Sequence, residues 1–171
     1  MELIGSQEEA EQDVLRSLRR LVASVRSLVA IDPEDIESGI SMLEQLRHDH
    51  YEDLNQIQHE AMILRTAKSI QSTEFPDHPM TWFWNPRQTG DADEPDLRGK
   101  FGTQYVVSAE ITTSERPVGT IDTRMATTLD NLSRMPGRRF FVVRTPSMMR
   151  RAQTKIAKAG YDIEVRLEAL R

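Results

Sequence analysis

The sequence predicts an α/β domain carrying an N-terminal helical extension, and three observations lead there. Two apolar runs rich in β-branched and aromatic residues, Gln104 to Thr112 and "RRFFVVRT" from Arg138, are bounded by turn formers and suit central strands. Segments of helical period follow each of them, which is the alternation of a sheet with crossover helices. Upstream, residues 8 to 70 repeat apolar side chains at steps of three and four. A chain of 171 residues is long enough for one domain with a real core and short for two.

The elements follow in order. Val14, Leu18, Leu21, Val25 and Leu28 give the segment from Glu8 to Ala30 one broad apolar face. That face is too apolar to leave in water, so it is expected to be buried on the domain or in a homodimer. "IDPEDIESG" offers Asp32 as an N-cap, Pro33 at the first helical position and acids in the first turn, where the helix dipole favours them. A second helix packs through Ile36, Ile40, Leu43 and Leu46. The pattern resets at "RHDHYED", and Leu54, Ile57, Ala61, Leu64 and Ala67 mark a third helix ending near Ile70; periodicity leaves open whether the two are one.

From Phe75 four prolines and turn formers surround Trp82-Phe83-Trp84, which reads as loop, short strand and loop. A hairpin starts in Asp93 to Leu97 and returns along Gln104 to Thr112. Thr120 is expected to cap a helix bearing Ile121, Met125, Leu129 and Leu132, stopped by Pro136-Gly137. After the second buried strand, Thr145-Pro146 is an N-cap followed by proline at N1, and Gly160 ends that helix. Tyr161, Ile163, Val165 and Leu167 alternate with charged residues, as on a strand with one wet face.

Composition narrows the function classes. There is no cysteine, which rules out disulfides and thiolate metal sites and makes a reducing cytoplasm the expected location. No apolar stretch approaches the roughly 20 residues of a membrane span, so no membrane partner is expected. The acidic start "MELIGSQEEAEQD" lacks the basic region of a signal peptide. The net charge of −5 averages two unlike parts: residues 1 to 95 hold 8 basic and 19 acidic residues, residues 96 to 171 hold 14 and 8. A basic half can meet phosphates.

Within that half, "EPDLRGKFGTQYVVSAEITT" sets Asp96 before the hairpin and Glu110 at the end of an apolar strand. A buried carboxylate is costly unless it is paired or bound to a cation. Pro95-Asp96, then fourteen residues on Glu110-Ile111-Thr112, then a helix and a buried strand, resembles the PD-(D/E)xK nuclease superfamily, which includes restriction endonucleases and archaeal Holliday-junction resolvases. The resemblance covers about residues 50 to 168 and implies a restriction-endonuclease-like mixed sheet flanked by helices. It divides the chain into a helical extension, 1–49, and a nuclease-like α/β domain, 50–171.

The resemblance further implies a magnesium ion held by Asp96, Glu110 and the Ile111 carbonyl, with Glu60 on the preceding helix completing the site. Hard carboxylate oxygens suit magnesium, which stabilises charge on a phosphate and generates hydroxide. The family's lysine, two residues after the second acid, is Thr112 here. Lys100 and Arg124 are the other cations within reach of the motif in sequence, though arginine stays charged and is a poor proton carrier.

His48, His50, His59 and His78 do not suggest a metal centre, because the first three share no i, i+4 pair, and Trp82-Phe83-Trp84 is expected in the core rather than stacking on bases. The expected activity is metal-dependent hydrolysis of nucleic-acid phosphodiesters, DNA first, by a homodimer. The alternative is a catalytically inactive nuclease-fold binding or scaffold protein that dimerises through its N-terminal helices. In a third arrangement the helices are the function and the α/β part anchors them.

Overall fold

The computed structural model describes residues 1–86 and 94–168. Asp93, the predicted start of the hairpin, and the loop before it lie outside the described residues. Among the described residues the elements run β1 (Glu2–Leu3), α1 (Gln7–Val29), α2 (Ile36–Glu74), β2 (Thr81–Trp84), β3 (Leu97–Phe101), β4 (Gln104–Thr112), α3 (Thr120–Ser133), β5 (Arg138–Val143), α4 (Pro146–Ala159) and β6 (Glu164–Leu167). No helix among them is long and apolar enough to cross a membrane.

The six strands form one mixed sheet in sequence order. β1 to β4 pair antiparallel, whereas β4, β5 and β6 are parallel. The two parallel joins need crossovers, and α3 and α4 supply them. β5 shows how the layers are filled: Phe140 and Val142 join the core under α2 while Phe141 and Val143 join a second core with Met125, Leu129, Met148 and Ala152. A strand covered on both faces must be apolar throughout, which is why "FFVV" carries no alternation. Trp82 and Trp84 are core residues beneath α2, as expected of that aromatic run.

Several boundaries differ from the sequence reading, each for a local reason. The two helices after residue 32 are one 39-residue helix, because nothing in "RHDHYED" breaks the backbone. Its N-cap is Asp35 and not Asp32: the Asp35 carboxylate accepts from the Ser38 amide at 2.8 Å, and Ser38 Oγ accepts from the Asp35 amide at 3.1 Å. That reciprocal pair wins over a lone aspartate before proline. Thr120 is the first residue of α3 and caps nothing; Gly119, in the left-handed region, precedes it without a side-chain bond. The start held no signal for β1, whose two residues gain strand geometry only by pairing with Phe83 and Trp84.

The α4 cap is as the sequence predicts. Thr145 Oγ1 accepts from the Met148 amide at 3.2 Å and donates to the Glu115 carbonyl at 2.8 Å. Thr145→Ala removes both bonds and will lower the unfolding free energy by about 1 kcal/mol, read from urea titrations with an unchanged m-value. A loss indistinguishable from zero would mean that water replaces the hydroxyl without cost.

A candidate active site at the C-terminal end of strand β4

The pairing of β3 with β4 brings the two acids together. Leu97 lies opposite Ala109 in an antiparallel ladder, so the residue before it, Asp96, falls beside Glu110. Asp96 is buried, and its Oδ2 accepts from the Ile111 amide at 2.8 Å. That bond locks the carboxylate across the end of β4.

Glu110 is half-buried, and its carboxyl is pushed up to about 9, first by burial, then by the Asp96 charge and a hydrogen bond to the Asp96 side chain. Two carboxyl groups this close cannot both carry charge cheaply, so the pair holds a proton. A divalent cation placed between the two carboxyl groups would have to displace that proton.

His59 of α2 completes the group. Its Nε2 lies 3.2 Å from Asp96 Oδ2 and 3.1 Å from the Ile111 carbonyl oxygen. Both neighbours are acceptors, which assigns the proton to Nε2. Burial pulls the imidazole down, but the hydrogen bond and charge of Asp96, the Ile111 carbonyl and the Glu60 charge outweigh it, and the net direction is up. Its Nδ1 is buried without a partner.

These residues line a cavity of about 610 Å³ between α2, β4 and α3, with Thr112, Thr123, Arg124 and Thr128 on its walls. The cations among its described lining residues are His59 and Arg124; no lysine is there. Lys100 sits over the Tyr105 ring, 5.9 Å from its centroid, in the hairpin and away from the cavity. Thr112 Oγ1 faces the chain turn and accepts from the Ser114 amide at 3.3 Å.

Asp96, Glu110, Ile111 and Thr112 thus lie together on the lining of this cavity, and Glu60 is not among its lining residues. Glu60 lines a separate depression between α1 and α2, with Ser17, Arg20, Asp49 and His50, and accepts a hydrogen bond from Gln56 at 3.4 Å. One residue along a helix is about 100° of rotation, so His59 faces the cavity and Glu60 turns toward α1. The signal for His59 was present in the sequence: it stands three, four, seven and eleven residues before Met62, Ile63, Thr66 and Ile70, all of them buried. Reading the four histidines only as a metal cluster hid it. Among the described residues no group of three or more His, Asp or Glu is arranged to hold a metal ion.

Searches against protein-family models, curated proteins and solved structures give no match for this chain.

Proposed function

We propose that the protein hydrolyses phosphodiester bonds in nucleic acid, DNA in the first place, with a magnesium ion held by Asp96, Glu110 and the Ile111 carbonyl. The observation that carries this reading is the side-by-side placement of two carboxyl groups, one buried and one half-buried, at the floor of a cavity open enough to admit a phosphate. The donor set is all oxygen, which suits a hard divalent cation, and the proton held by Glu110 marks where negative charge is in excess. The order α2, β2, β3, β4, α3, β5, with β4 and β5 parallel, supports a restriction-endonuclease-like plan.

Bound there, magnesium would neutralise phosphate charge and lower the pKa of a water. The chain's own groups do the rest. The Ile111 amide and His59 fix the orientation of the Asp96 carboxylate, Arg124 offers a permanent charge at the cavity wall for a phosphate oxygen, and the Thr112 hydroxyl can orient water where the family's lysine would stand.

One observation favours a second reading. His59 Nε2 bonds the same two oxygens, on Asp96 and Ile111, that a cation would need. A protein in which this imidazole permanently replaces the ion would be a catalytically inactive nuclease-fold binding or scaffold protein.

Calorimetric titration with magnesium and manganese, run beside cleavage of supercoiled plasmid, linear duplex and RNA, separates the two. The first reading expects a cation bound about one per chain and cleavage that chelator abolishes. Nucleic acid bound steeply more weakly as salt rises, with neither cation uptake nor cleavage, overturns it in favour of the second.

A further inference from the structure

One face of the sheet is covered along part of its width. Glu110 of β4 pairs with Phe141 of β5, whose ring lies in the core beneath α3 and α4, so Glu110 points to that side. Arg139, two residues before Phe141, shares it, and strand pairing carries the row onward through Ser108 on β4, Arg98 on β3 and Phe83 on β2 to Leu3 on β1. Thr81, Lys100 and Tyr105 pair into a second row on the same side. Phe83 thus faces away from Trp82 and Trp84, which lie in the core under α2.

α3 lies on β4 and β5, and α4 on β5 and β6. The part of the face built by β1, β2, β3 and the start of β4 is left open: Leu3 is 58 % and Tyr105 39 % exposed, and Phe83, Arg98 and Lys100 are half-buried.

This open part carries rings and cations. The charged residues of β2, β3 and β4 are Arg98, Lys100 and, at the candidate site, Glu110. Phe83 and Tyr105 meet edge to face with centroids 6.2 Å apart, the Arg98 guanidinium lies 5.0 Å from the Tyr105 centroid, and Lys100 Nζ lies 5.9 Å from it. Among the described residues no acid pairs with Arg98 or Lys100, and the buried Arg98 Nε has no hydrogen-bond partner. Both cations are uncommitted.

We infer that this open face binds single-stranded nucleic acid and leads it to Asp96 and Glu110. Tyr105 and Phe83 offer rings to unpaired bases, while Arg98 and Lys100 offer charge to the phosphates between them. A duplex hides the faces of its bases and could use only the two cations. Asp96 stands four residues before Lys100, about 14 Å at about 3.4 Å per residue of strand, which is room for about four stacked nucleotides at a similar rise. That matches the small end of single-strand site sizes. As a substrate path the inference rests on the hydrolase reading; as a binding face it stands without a cation.

Fluorescence anisotropy in chelator, with a labelled oligothymidine or oligouridine of about 12 nucleotides and a blunt duplex of the same length, tests the binding apart from the chemistry. Wild type is expected to bind a single strand at least about tenfold more tightly than the duplex. Tyr105→Ala and Phe83→Leu each weaken single-strand binding about fivefold or more, whereas Tyr105→Phe keeps it. Lys100→Gln, a change on the surface that leaves the fold intact, lowers the slope of log affinity against log salt by about one. Single-strand binding of this pattern in a protein that takes up no magnesium and cuts nothing supports the face and overturns the hydrolase. Duplex bound as tightly as the single strand overturns the inference and leaves the hydrolase standing, as does single-strand binding indifferent to the Tyr105, Phe83 and Lys100 changes. Binding of no oligonucleotide, with amides of β2 and β3 gaining exchange protection as protein concentration rises, would assign the face to a contact between copies instead.

Discussion

On the proposed magnesium-nuclease reading Glu110→Gln will abolish cleavage and cation uptake, and whatever the reaction it will flatten the fall of stability with pH. Glutamine keeps the shape of the side chain and a hydrogen that can reach Asp96, so the fold stands. It cannot ionise, so it neither ligates a cation strongly nor titrates. If Asp96 and Glu110 are the two charged ligands proposed, loss of one is expected to cost about a thousandfold or more in rate.

The pH effect follows from the direction of the shifts. Glu110 has its folded value raised from 4.5 to about 9, so the native state holds a proton that the unfolded chain releases. Stability from this source is fully present below about pH 4.5 and is lost progressively toward about pH 9. His59 is also raised, and its contribution is likewise present below its ordinary 6.5 and lost as pH climbs through its folded value. Both terms have the same sign. Glu74, lowered to about 2 between Arg138 and Arg166, and Asp122, lowered beside Arg151 and Lys155, are charged throughout that window and leave the slope alone.

Thermal unfolding of wild type should therefore fall steadily between about pH 5 and about pH 9, each kcal/mol lost appearing as about 3 °C in a domain of this size. The variant should lose most of that slope, keep the His59 part, and exceed wild type in stability at the alkaline end. Magnesium should bind wild type more tightly as pH rises, since uptake expels the Glu110 proton. Parallel pH profiles for the two proteins would mean that Glu110 is an ordinary ionised glutamate facing solvent, and the site would lose its chemical basis.

How much of this was legible beforehand depends on whether the cause was local. The order of strands and helices from α2 onward could be read because each is announced by its own residues: a continuous "FFVV" for a strand covered on both faces, Thr145-Pro146 and Gly160 for the ends of α4. The hairpin closed by Gly102 and Thr103 was legible too, but its register alone would set Asp96 beside Ala109; a bulge between Gly99 and Lys100 shifts the pairing by one residue and brings Asp96 beside Glu110.

What escaped was set at a distance. β1 exists only because β2 offers it an edge. The choice between Glu60 and His59 depends on which side of α2 faces β4, and α1 takes the other side. A glutamate between apolar residues looked like the inward one because it shares the stripe of Ile57 and Leu64, but that stripe packs beneath α1. Two apolar faces on one helix defeat a rule that assumes one.

Gly137→Ala will destabilise the protein by about 3 kcal/mol or more, about twice the cost of Gly160→Ala or above. Both glycines have positive φ, +79° and +70°, a region where an L side chain is strained by about 1 to 2 kcal/mol. They differ in what a methyl group would meet. At Gly160, the C-cap of α4, nothing lies within 4 Å of the added carbon, so alanine costs only its backbone conformation. At Gly137 that carbon would fall 2.8 Å from the Val106 Cα and nearer still to the Val106 carbonyl.

The Val106 backbone cannot yield. It is followed at once by Val107, which pairs with Arg138 to open the parallel ladder of β4 and β5, and by buried Ser108, whose hydroxyl donates to the Pro136 carbonyl at 2.9 Å. Relief of the clash would have to part the two strands at the start of the ladder whose far end carries Glu110 and Thr112. Gly137→Ala should consequently loosen the candidate site as well, seen as faster amide exchange at Ile111, while Gly160→Ala leaves that amide protected. Equal losses of stability for the two variants, measured by urea unfolding, would show that the close approach of Gly137 to Val106 is not a constraint the native chain obeys.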